Sequence, residues 1–100
     1  MTYSVQQIKF ELISYVKEFG GDFREWSVGI ADDAPKALFE LNKVDPVSDV
    51  WLWKPAASAS GAAMVHAWMT ERQHANAVAG DSASGASVFM FKKTPKTPPL

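Results

Sequence analysis

Apolar residues recur three and four positions apart at Val5, Ile8, Leu12, Tyr15, Val16 and Phe19, the spacing of one face of an α-helix. Ser4 with Gln7 three residues on reads as a capping box, in which each side chain satisfies a backbone amide left open by the first turn. Gly20 and Gly21 follow and supply a left-handed stop. Trp26 to Ile30 then predicts a short strand. Asp32 or Asp33 caps a second helix, and Pro35 fits its first turn, where a missing amide is no loss. Ala37, Leu38 and Leu41 give that helix an inward face. Residues 42–49, "NKVDPVSD", read as a loop, because the residue before a proline is pushed out of the helical region.

Val50 to Trp53 predicts a second strand, ended by Lys54 and Pro55, with Trp51 and Trp53 on one face and Val50 and Leu52 on the other. A strand apolar on both faces needs cover on both sides. Residues 57–80 read as a third helix, with Ser58 or Ser60 as cap and Gly80 as its end. Ala62, Val65, Trp68, Met69 and Arg72 follow one side, and many alanines favour the helical state. Residues 81–87, "DSASGAS", form a flexible loop, and Ser87 to Lys92 is a third strand. The expected class is α/β (α+β), with a small three-stranded sheet and helices packed on it, in the order helix, strand, helix, strand, helix, strand. One globular domain spans 1–92, and 93–100, with three prolines, is a mobile or extended tail.

Composition narrows the function classes. Forty-seven per cent of residues are hydrophobic and 12% aromatic, enough for a core without metal or disulfide staples. A formal charge of −1 gives no global nucleic-acid or membrane-surface footprint. Cysteine is absent, which excludes a disulfide framework and a thiol nucleophile and fits a reducing cytoplasm. Neither a signal-peptide pattern nor an apolar run of roughly 18–20 residues occurs. The expectation is a bacterial-style cytoplasmic protein with no membrane partner and no cofactor.

Candidate chemistry is sparse. His66, Glu71, Arg72 and His74 are placed on the third helix. Glu71 and His74 have a Glu-x-x-His spacing used in di-iron bundles, but no second copy exists to complete such a site. The two histidines are not an i, i+4 zinc pair. A solvated helix face is the expected reading, and no metal is expected. The Gly80–Gly85 segment lacks the Lys-Ser/Thr ending and following helix of a phosphate loop. Lys92, Lys93 and Lys96 make a basic tail that could touch phosphates weakly, though such a tail more often only keeps a chain in solution. Trp26, Trp51, Trp53 and Trp68 are expected chiefly as core filling, and Trp51 and Trp53, on one face, leave room for a partly exposed aromatic platform that could stack on bases or meet a protein partner.

Three segments together resemble the GIY-YIG endonuclease superfamily. "WSVGIADDAPKALFEL" resembles the strand–turn–helix of a small bacterial branch with a pattern like W-Y-V-G-I-T-x-D-P-x-x-R-L-F. "ASASGAAMVHAWM" looks like its later helix, in which an alanine-rich run leads into a glutamate. "VFMFKKTPKTPP" looks like its closing V-Y-x-Y-x-x-T strand. The likeness covers most of 25–98, and no first "GIY" half is visible.

In such nucleases tyrosines position the attacking water, an arginine stabilises phosphate charge and a glutamate holds a divalent metal. Val28 and Gly29 match the "IG". Ser27 stands at the tyrosine, Ala31 at a threonine, Ala37 at the arginine, Leu41 where a histidine often follows and His66 at the glutamate. Lys36 adjoins Ala37 but points about 100° away on a helix. His66 cannot supply the hard oxygen that magnesium prefers. The resemblance therefore implies a retained fold without nuclease chemistry: a binding or interaction module whose partner is unknown, with a protein partner or homodimer as one form and nucleic acid as another. The alternative is a metal-dependent nuclease or other small hydrolase using His66 or His74 as acid/base near neutral pH, oriented by Glu71 or Asp32. The resemblance implies that Ala37 and His66 face one concave surface beside strand 26–30, and the family reading weakens if they do not.

Overall fold

The computed structural model describes residues 2–20, 22–80 and 85–93. Helix α1 (Val5–Phe19) begins with the predicted capping box: Gln7 N donates to Ser4 Oγ at 3.2 Å and Ser4 N donates to Gln7 Oε1 at 2.9 Å. It stops at Gly20, whose φ is 79°. Ile8, Leu12 and Val16 are buried, whereas Phe19 is exposed. A 3-10 turn, Phe23–Glu25, is closed at its N-terminus by a capping box, Asp22 Oδ1 accepting from Arg24 N and Glu25 Oε2 from Asp22 N. It delivers Trp26 into the core with no exposed surface.

The sheet has four strands in the order β2-β4-β1-β3: β1 (Ser27–Ala31), β2 (Val50–Pro55), β3 (Asn76–Ala77) and β4 (Ser87–Lys92). Strand β4 is antiparallel to both neighbours, with Gly29 opposite Phe89 and Trp53 opposite Phe89 on the other side. The mixed α/β class agrees with the sequence reading; the fourth strand is a correction to the expected three. Side chains alternate across the sheet. Val28, Val88 and Met90 meet α1 and helix α3 (Ala59–Ala67) on one side, here the upper face. Ala31, Phe89 and Phe91 meet Ala34, Ala37, Leu38 and Val44 on the lower face. Helix α2 (Lys36–Leu41) is a short, π-type helix and covers that lower face.

The third helix does not reach Gly80. Helix α3 passes into a π-helical stretch, Trp68–Arg72, and ends there. Gln73 N bonds Trp68 O at 3.2 Å, Ala75 N bonds Met69 O at 2.9 Å, and His74 takes φ 65°. This is a left-handed helix stop with the hydrophobic contact that accompanies it, Ala75 being buried. The chain then pairs along β1: Asn76 N donates to Trp26 O at 2.9 Å and Val78 N to Val28 O at 3.0 Å. The helix preference of alanine is worth only tenths of a kcal/mol per residue, less than leaving strand carbonyls unpaired. Helix α2 closes in the same way. Val44 N bonds Leu38 O at 3.0 Å and Lys43 takes φ 57°. Leu41, expected to face inward, is 48% exposed, because the wider π-type turn carries it past the apolar stripe of Ala34, Ala37 and Leu38.

Strand β2 continues through Pro55 rather than stopping before it. It is an edge strand, and Pro55 faces its missing amide away from β4, where proline is tolerated. Gly80 is not a helix end but a packing position: a Cβ there would lie 1.7 Å from the Ile30 carbonyl oxygen. A Cβ at Gly85 would likewise lie 2.3 Å from the Ala31 carbonyl carbon. Residues 81–84 of the expected loop and 94–100 of the expected tail lie outside the described residues. Among the described residues, no helix is long and apolar enough to cross a membrane.

Candidate functional site

The junction of β1 and α2 is built as its sequence suggests. Asp33 caps the helix, its Oδ1 accepting from Lys36 N at 3.1 Å. Ala31 and Ala37 are completely buried, and Gly29 is buried beneath the ring of Phe89. Ser27, half-buried, lies opposite Phe91 on the lower-face side of β1. Val28 points up into the other core cluster. Leu41 is turned to solvent.

His66 is on α3, above the sheet. Its ring faces the Val28 carbonyl. Partial burial holds the imidazole below its ordinary value of 6.5, and that carbonyl offsets the shift in part. Thr70 Oγ1 donates to His66 O at 3.0 Å, a bond within the helix. Ala37 packs with Phe89 and Phe91, whereas the helix carrying His66 packs with Val28, Val88 and Met90. The sheet stands between them, so the two positions do not share a surface.

His74 is also not where the sequence reading put it. It lies beyond the helix, exposed, as the left-handed residue that ends it, so Glu71 and His74 are not one turn apart on a helical face. Among the described residues, no three His, Cys, Asp or Glu side chains gather as a metal-ligand group.

Trp51 and Trp53 do share the lower face, both half-buried. The indole of Trp51 is pinned: Nε1 donates to Pro46 O at 3.1 Å, and the Phe39 ring meets it edge-on at 5.0 Å. Beside it is a groove of about 500 Å³ lined by Tyr15, Phe19 and residues 46–52. Its rim is the turn at Pro46–Ser48. Asp45 Oδ1 accepts from Val47 N at 2.9 Å and from Ser48 N at 3.2 Å, and Asp45 N donates to Asp49 Oδ2 at 2.9 Å. This self-satisfied turn presents Val47 with 92% of its surface exposed. Sequence reasoning missed Phe19 and Val47 as surface residues. The signal for Val47 was an apolar side chain inside an otherwise polar loop; Phe19 was hidden by fitting the helical stripe.

Of the basic candidates, Lys92 is half-buried and pairs with Glu25 at 3.6 Å, and Lys93 is exposed. Lys96 lies outside the described residues. Comparison with known proteins finds no matching family model, no matching curated protein and no matching solved structure.

Proposed function

We propose that the chain is a non-catalytic GIY-YIG-like domain acting as a binding or interaction module. The observation that carries the non-catalytic half of this reading is the placement of Ala37; the GIY-YIG likeness rests on the sequence motifs alone, because opposite faces for Ala37 and His66 are not the arrangement the resemblance implies. At the position where the resembled family has its arginine, a methyl group is completely buried under the sheet, while His66 lies above it. Phosphodiester cleavage needs cations and a metal-holding carboxylate converging on one phosphate. A half-buried imidazole held below its ordinary pKa supplies neither charge nor hard oxygen near neutral pH. The groove beside Trp51, lined by Tyr15, Phe19 and residues 46–52, is the candidate binding surface. Bacterial origin and a cytoplasmic setting are part of this proposal, resting on the resembled branch and the cysteine-free sequence.

Purified protein incubated with supercoiled plasmid and magnesium or manganese is expected to leave the plasmid intact. Nicking or linearisation that disappears in His66→Ala would overturn the proposal and support the hydrolase alternative.

A further inference from the structure

A second groove lies between α1 and the π-helical stretch that follows α3. It measures about 480 Å³ and is lined by Lys9, Ala67, Trp68, Glu71 and Arg72. Trp68 is half-buried, with the Phe23 ring packed edge-on at 6.1 Å. The Lys9 ammonium sits 5.2 Å from the centre of the Trp68 ring. Glu71 and Arg72, from the same π-helical stretch, line the groove beside Trp68.

The charges in this groove do not neutralise one another. Lys92 pairs with Glu25, whereas among the described residues Lys9, Glu71 and Arg72 make no ion pair. Two cations and a single carboxylate therefore share the groove with a half-buried indole, Lys9 lying over the ring. Arginine matches a phosphate with a two-pronged fork, and lysine adds a mobile point charge. The volume falls within the usual range for small-molecule sites, roughly 300–1,000 Å³.

We propose that this groove binds a small phosphorylated ligand of the sugar phosphate or mononucleotide class. The phosphate lies between Lys9 Nζ and the Arg72 guanidinium. The sugar or base rests on the Trp68 ring, over which the Lys9 ammonium now sits, and its hydroxyl or amine donors turn to Glu71. Lysine leaves a cation–π contact worth about 0.5–1 kcal/mol at an exposed site for a charge-assisted bond about twice as strong as a neutral one. This site is separate from the Trp51 groove and does not depend on the loss of nuclease chemistry.

The test is titration of the full chain at low salt, followed by the indole N–H resonance of Trp68 in proton–nitrogen correlation spectra. The probes are adenosine 5′-monophosphate, ribose 5-phosphate, inorganic phosphate and adenosine. Saturable shifts with either organic phosphate, and none with adenosine, are expected. A stronger response to the nucleotide assigns the base to the Trp68 ring; an equal response assigns the sugar. Arg72→Gln and Lys9→Gln are each expected to weaken binding about tenfold, with unchanged thermal unfolding midpoints. No shift with either organic phosphate up to about 10 mM overturns the proposal. So does an affinity unaltered in both variants.

Discussion

At the residue scale, Gly29 leaves room on β1 for the ring of Phe89. The two are cross-strand partners, and a Cβ on residue 29 would lie 2.3 Å from Phe89 Cζ. Gly29→Ala is therefore expected to destabilise by about 1–3 kcal/mol through overpacking, measured by urea unfolding. The effect should shrink in the Phe89→Leu background, because the clashing ring is gone. An equal loss in both backgrounds would place the strain elsewhere. The opposite sign is expected at the two left-handed residues. Lys43 and His74 hold φ of 57° and 65°, which costs roughly 1–2 kcal/mol for a residue with a Cβ. Glycine there gives back about 0.5–1 kcal/mol in unfolded-state entropy. Lys43→Gly and His74→Gly should each raise stability by up to about 1 kcal/mol. A loss on His74→Gly would show that its imidazole makes a stabilising contact.

His66 sets a pH dependence. Its folded pKa lies below the ordinary 6.5 because burial disfavours the imidazolium. The unfolded chain therefore takes up a proton at a higher pH than the folded chain. The contribution of a neutral, packed His66 is fully present above pH 6.5 and declines as pH falls through the interval down to the lowered value. Urea midpoints between about pH 8 and 5 should fall in the parent and fall less in His66→Gln. Identical profiles would mean that another group governs this range.

At the element scale, β2 shows how an exposed sheet edge is managed. Tyr15 Oη donates to Trp51 O at 2.7 Å, and Tyr3 N donates to Pro55 O at 2.9 Å. Both carbonyls thus point away from β4, and by alternation so do the amide and carbonyl of Trp53. The chain's only two tyrosines flank the one residue of this edge that offers both groups. Such plugging hinders a second strand from adding. Tyr15→Phe should cost about 0.5–1.5 kcal/mol, the usual net worth of a hydrogen bond. It should also raise association with concentration in light scattering. Lost stability without association would mean that the Tyr3 segment alone protects the edge.

The same scale shows what was legible in sequence. Helix α1, its capping box and β4 were readable because period and capping chemistry agree there. The end of α3 was not. Alanine-rich residues 75–79 favour a helix locally, but the carbonyls of Trp26 and Val28 claim the amides of Asn76 and Val78. Those partners are some fifty residues distant in sequence, so no local pattern carries the signal. Leu41 fits the α-helical stripe and leaves it only because the turn is wider.

For the whole molecule, the sheet separates two cores of unequal cover. Above it, α1 and α3 enclose Trp26, Val28, Val88 and Met90; below it, the short helix α2 and nearby residues cover Phe89 and Phe91. Sequence placed the substituted positions Ser27, Ala37 and His66 in order along the chain, but it held no information about which face each helix would take. That choice depends on crossover geometry, and it is what removes Ala37 from the company of His66. The unequal cover also predicts how the protein opens. Amide exchange should be slowest in β4, which is paired on both sides, and faster by local opening across Lys36–Leu41. Leu38 is the largest completely buried side chain of α2. Leu38→Ala is expected to cost about 2–5 kcal/mol and to speed exchange in α2 more than in α1. Leu12→Ala, in the upper core, should lower protection across α1, α3 and β4 together. Equal acceleration everywhere in both variants would mean that the two layers unfold as one unit, and that the lower face is held as firmly as the upper despite its thinner cover.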